Sequence, residues 1–108
     1  MNSFGLTDSE QEMIRAVLRQ AGITEAKIFG SRAKGNFQPN SDIDLALWGN
    51  TSVSTIAMIA GELEELPLPY TFDVQAYDAI RHQPLREHID RVGQSFYTQA
   101  EEGAIAKK

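Results

Sequence analysis

Met13, Ile14, Val17, Leu18 and Ala21 recur at the three- and four-residue spacing of an amphipathic helix. Just upstream, Thr7-Asp8-Ser9-Glu10 has the T-x-x-E form of a capping box, whose hydroxyl and carboxylate satisfy free amide donors at a helix start. Gly22 stands where a C′ glycine would end that helix. Ile23 to Phe29 reads as a strand feeding a turn at Gly30-Ser31, and Phe37-Gln38-Pro39-Asn40 reads as loop. From Asp42 to Leu47 the pattern alternates polar and apolar, the period of a half-buried strand. Val53, Ile56, Ala57, Ala60 and Leu63 trace a second amphipathic helix that ends before Pro67. Thr71 to Tyr77 alternates again, with Phe72, Val74 and Ala76 on one face. Pro84 suits the first turn of a last helix that carries Leu85, Ile89 and Val92 inward and stops at Gly93. The predicted order is helix, strand, strand, helix, strand, helix. The simplest α+β arrangement that buries these stripes is a small mixed β-sheet backed by helices on one face. The domain is expected over residues 4–97, with 98–108 as a flexible tail.

At 108 residues the chain has room for one compact domain, and 42% hydrophobic with 23% charged residues is an ordinary globular balance. Ten Lys+Arg against fifteen Asp+Glu give a net charge of −5, which argues against a grip on DNA or RNA through phosphate contacts. An acidic site can still hold a single nucleotide through metal ions. The absence of cysteine removes disulfides, thiolate zinc sites and a thiol nucleophile. No apolar run reaches the roughly eighteen residues of a membrane span, and Met-Asn-Ser-Phe-Gly lacks the blocks of a signal peptide. A cytoplasmic protein is the expectation.

Asp42 and Asp44 are the most informative residues. Strand alternation points both carboxylates to one side and Ile43, Leu45 and Leu47 to the other. Asp is disfavoured in strands and like charges at this spacing repel, so something must compensate. A divalent cation does so, since Mg2+ takes one or two carboxylates together with substrate phosphates. Alone, D-x-D is read as readily as two solvated acids at a strand start. Asp73 adds a third carboxylate on the polar face of its own strand, and pairing beside the first acidic strand would gather all three on one open face. Two metals roughly 4 Å apart on such a set could hold both the attacking and the leaving oxygens of a displacement at phosphorus. Taken alone, Asp73 reads more simply as an exposed edge-strand acid.

The segment Gly30-Ser31-Arg32-Ala33-Lys34-Gly35 supplies what a triphosphate needs: a glycine for close backbone approach, a hydroxyl at Ser31, and positive charge at Arg32 and Lys34. It lacks the Gly-Lys-Ser/Thr ending of a P-loop.

Gly30-Ser31, ten intervening residues and then Asp42-Ile43-Asp44 resemble the signature of the nucleotidyltransferase (polymerase-beta-like) superfamily. The longer string GSRAKGNFQPNSDIDLAL is similar to the minimal nucleotidyltransferases of prokaryotes, and the resemblance runs from about Phe4 to Tyr97. It implies that Gly30 and Ser31, with Arg32 beside them, bind the phosphates of ATP. It also implies that Asp42, Asp44 and Asp73 form the catalytic set and hold two Mg2+ ions, with Asp73 nearest the acceptor hydroxyl. A hydroxyl would attack the α-phosphorus and pyrophosphate would leave. Larger members of the superfamily carry a further domain for the acceptor, and 108 residues leave no room for one. Minimal nucleotidyltransferases are commonly paired with a HEPN-domain toxin, an RNase, whose tyrosine they adenylylate as type VII-like antitoxins. An acidic chain suits a basic partner of that kind.

Other residues carry less. Arg81 and His88 match a loose R-x₆-H spacing but read as surface residues, and His82 has no second ligand at metal-binding spacing. Trp48 could stack on a base, though an aromatic covering the strand end is the simpler reading. Glu62, Glu64 and Glu65 read as a solvated helix end. Tyr70, Tyr77 and Tyr97 are conceivable self-acceptors with nothing to choose among them. Three functions therefore stand. One is an Mg2+-dependent adenylyltransferase that neutralises a HEPN partner. The second is an antitoxin that blocks its partner sterically. The third is a catalytic subunit acting on a small molecule or an RNA end.

Overall fold

Helix α1 (Asp8–Gln20) begins at the capping box that the sequence predicts. The Glu10 amide donates to Thr7 Oγ1 at 3.1 Å and the Thr7 amide donates to Glu10 Oε1 at 2.9 Å. The helix ends at Ala21, after which Gly22 takes a φ of +82° that its lack of a side chain permits. The chain then runs through β1 (Ile23–Phe29), the single-turn α2 (Ser31–Lys34), β2 (Ile43–Gly49), α3 (Val53–Glu64), β3 (Phe72–Ala76), a 3₁₀ turn at Tyr77–Ala79, α4 (Gln83–Val92) and β4 (Gln94–Thr98). This computed structural model describes residues 4–100.

The strands form one mixed sheet in the order β3-β2-β1-β4. β1 is antiparallel to both β2 and β4, whereas β2 and β3 are parallel and joined through α3, as a parallel pair requires a crossover. Ile43, Leu45 and Leu47 of β2 are wholly buried in the main core with Ile14 and Leu18 of α1 and Ile59 and Leu63 of α3. At about 1.5–3 kcal/mol for each fully buried aliphatic side chain, this cluster is the principal source of stability.

The α+β sheet backed by helices is as expected, but helices stand on both of its faces. Phe29, Ala46, Ile80 and Ile89 form a second, smaller cluster, with Trp48, Tyr77, Leu85 and Val92 packed against it, so α4 lies on the face opposite α1 and α3. Ala46 is the reason: it interrupts the polar side of β2 with an apolar residue that needs cover. α3 is also rotated from its predicted orientation. Ile56, Ile59, Ala60 and Leu63 turn inward, while Ala57 is exposed and Val53 is 89% exposed.

β4 is absent from the sequence-based order. Ala26 pairs with Tyr97 and Lys27 with Ser95, so Phe96 is an extra residue in a bulge, and Phe96 and Tyr97 are both buried. Two adjacent buried side chains destroy the alternation by which a strand is recognised. Thr98, expected from sequence to lie in the tail, belongs to β4; residues 101–108 of that expected tail lie outside the described residues. Among the described residues no helix is long and apolar enough to cross a membrane.

Candidate active site

The end of β1 and the starts of β2 and β3 meet at one edge of the small-cluster face. The Ile43 amide donates to Thr71 O at 2.9 Å, which opens the parallel pairing and sets Asp44 opposite Asp73. Paired residues on adjacent strands point to the same face, so these carboxylates are neighbours. Asp42 lies just before β2 and is exposed, as is Asp73, while Asp44 is half-buried. On its other flank Asp44 is paired with Phe29 of β1, directly before the turn.

Gly30 shapes that turn. Its φ of +76° is reached freely by glycine, and a Cβ built there would land on Asp44 Oδ2. The backbone therefore passes directly against the carboxylate. Ser31 opens α2, which is closed by Lys34 N–H to Gly30 O (3.1 Å) and Gly35 N–H to Ser31 O (2.9 Å).

Electrostatics tie the three acids together. Burial, then the Asp73 charge, then the Asp42 charge push the Asp44 carboxyl up from 3.8 to about 6. Each cause disfavours the anion, and the attraction of a bound cation would oppose all of them. Hard oxygen donors are what Mg2+ takes, so the donors suit the metal in chemical type. Among the described residues no three His, Cys, Asp or Glu side chains are already drawn to metal-ligand spacing. Asp73 Oδ1 accepts from Gln75 Nε2 at 3.2 Å.

Arg32, expected from sequence beside the phosphates, has a buried side chain, 2% exposed, whose donors go to backbone carbonyls: Ser41 O from both Nε and Nη2, Pro39 O from Nη2, and Phe4 O from Nη1. The neighbouring Lys34 is exposed. Trp48 is also committed, stacked on Tyr77 with ring centroids 4.7 Å apart. Tyr77 donates to Asp90 at 2.6 Å, Tyr70 bonds the Glu10 carboxylate, and Tyr97 is buried. Arg81 and His82 lie exposed. His88, set aside on spacing, sits edge-on to Phe29 at 6.0 Å and so close to the acids' strand partner. Its placement depends on α4 crossing the sheet, which no local pattern encodes.

The family model described as "Polymerase beta, Nucleotidyltransferase" matches residues 12–102. No curated protein matches the sequence. Among solved structures, a chain of a toxin–antitoxin complex with AMP-PNP is similar at TM-score 0.69 and 19% identity, over 88% of this chain and 78% of that one. A MntA–HepT toxin–antitoxin structure is similar at TM-score 0.65 and 16% identity, over 92% and 79%. A Shewanella oneidensis structure of a tri-AMPylated HEPN toxin with its MNT antitoxin is similar at TM-score 0.64 and 16% identity, over 90% and 76%. At such identities the likeness is one of fold, whereas the family model spans most of the sequence and takes in all three acids and the Gly30-Ser31 turn: the chain belongs to the polymerase beta nucleotidyltransferase family.

Proposed function

We propose that this protein is an Mg2+-dependent protein adenylyltransferase that acts in the cytoplasm as an antitoxin. It transfers AMP from ATP to a tyrosine hydroxyl of a HEPN-domain RNase and thereby neutralises it. The observation that carries the reading is the Asp44–Asp73 pair on adjacent parallel strands, with Asp44 raised to about 6 beside the Gly30 turn. Three like charges on an open face oppose folding unless they serve a cation. The partner reading is supported by the similar structures, which are toxin–antitoxin complexes, one with AMP-PNP and one with a tri-AMPylated HEPN toxin.

In this reading the Gly30 backbone and Ser31 hydroxyl hold the β- and γ-phosphates. Asp42, Asp44 and Asp73 hold the metal. When bound, Mg2+ neutralises phosphate charge and favours in-line displacement. Asp73, exposed at the open side of the pair, accepts the phenolic proton as the oxygen bonds to the α-phosphorus and the bond to pyrophosphate breaks.

The test is intact mass of the co-purified partner after co-expression with wild type and with the Asp42→Ala/Asp44→Ala double variant. Mass added in whole AMP units only by wild type is the expected result. An unmodified partner that binds both forms would replace catalysis by steric neutralisation. Failure to co-purify any partner would return the weight to a small-molecule or RNA acceptor.

A further inference from the structure

Among the described residues the buried polar or charged side chains are Gln11 and Arg32. Burying a guanidinium has a desolvation cost of several kcal/mol, and a hydrophobic side chain of similar volume would serve a core as well or better. Arg32 is nevertheless thoroughly engaged. Its guanidinium lies over the rings of both Phe37 and Tyr70, 5.1 and 4.9 Å from their centroids, and its donors reach three carbonyls.

The places it touches share one property. Arg32 follows Ser31 directly. Ser41, whose carbonyl receives two of its bonds, directly precedes Asp42. Tyr70 directly precedes Thr71, the residue that opens the β2–β3 pairing on which the Asp44–Asp73 register depends. Tyr70 is itself anchored to Glu10 of the α1 capping box. The N-terminal segment is pressed against the same group, since a Cβ on Gly5 would meet Arg32 Nη1 at 2.8 Å.

We infer that Arg32 is a positioning residue that holds the Gly30–Ser31 turn, the approach to Asp42 and the approach to Asp73 at one fixed spacing, so that the carboxylates can share a cation. The inference rests on the metal-binding reading of those acids. The planar fork is what the task needs: it reaches carbonyls on separate segments while lying against two aromatic rings, which a lysine ammonium cannot do.

The test is calorimetric titration of Mn2+ into wild type and Arg32→Lys, each with a non-hydrolysable ATP analogue, alongside amide hydrogen exchange. Loss of such a supporting group is expected to lower Mn2+ affinity about 10- to 100-fold. Exchange should quicken at residues 41–44 while the amides of α1 keep their protection. Wild-type Mn2+ affinity in a folded Arg32→Lys protein would overturn the positioning role and leave the metal site standing. Absence of Mn2+ binding by wild type would instead overturn the metal reading, and this inference with it. If Arg32→Lys fails to fold, Phe37→Leu carries the test, because it removes one stacking face and keeps the hydrogen bonds. An affinity loss of about two- to fivefold is expected there, and none would overturn the proposal.

Discussion

The two ends of one face of β2 are built in opposite ways. At the far end Trp48 stacks on Tyr77, Lys27 lies 5.7 Å from the Trp48 ring, Arg86 lies 4.6 Å from the Tyr77 ring, and α4 seats Ile89 against the sheet. At the near end Asp44 faces Asp73 with Asp42 beside them, and two of the three are exposed. One end satisfies charge with aromatic faces and closes; the other gathers like charge and stays open. A packed end and an open acidic end are thus separated along a single strand, with Ala46 as the boundary between them.

That separation is broken most severely at the acids. Asp44→Asn, and equally Asp42→Asn, is expected to reduce AMP transfer by about a thousandfold or more, as the loss of several kcal/mol of metal-borne transition-state stabilisation. Thermal melting should show the fold intact. Turnover near wild type in either variant would sink the assignment. Next is the closed end. Trp48→Ala should lower stability by about 2 kcal/mol, less than for a fully buried aromatic because the ring is only half-buried. Denaturant unfolding measures this, and transfer at low temperature should stay close to normal.

A smaller effect separates the ends by pH. Asp44 holds its proton to about 6 when folded, against 3.8 for the unfolded chain. The unfolded state therefore releases that proton first, and this group's contribution to metal-free stability falls as pH rises from about 4 to 6. Above that window, with the shift discounted for solvent screening, Asp44→Asn should stabilise the metal-free protein by about 1 kcal/mol. Mg2+ with nucleotide should remove the advantage. A melting temperature for the variant no higher than wild type at pH 8 would show that the carboxylates do not repel as described. The mildest change is Ser31→Ala, expected to raise the KM for ATP about fivefold through one lost hydrogen bond to a phosphate oxygen. An unchanged KM would take Ser31 out of the phosphate site.

Much of this was legible in the chain because local rules and tertiary structure agree. Thr7 and Glu10 form their box without outside help, and the alternation through Asp44 survives because one face of β2 is fully buried. Asp73 could be placed on a polar face from sequence, but its pairing opposite Asp44 depends on the register across the α3 crossover. β4 was hidden by the bulge that buries Phe96 beside Tyr97. Arg32 was the least legible residue, since a basic side chain after a glycine turn resembles an anion ligand and its carbonyl partners are set by tertiary structure. Those partners come from residues 4, 39 and 41, and no spacing rule announces them.

β3 is an edge strand, held to the sheet by β2 alone, and it is reached only after the long α3 crossover. Docking it is also the step that brings the third negative charge up to the other two. In the metal-free protein this edge strand is thus the one whose arrival is electrostatically opposed, and local opening should begin there rather than at the central strand β1. Ligand and fold are then linked through one cooperative unit. Cation and nucleotide would act as a latch on β3, and the protein's slowest-exchanging and fastest-exchanging amides would draw together as the site fills.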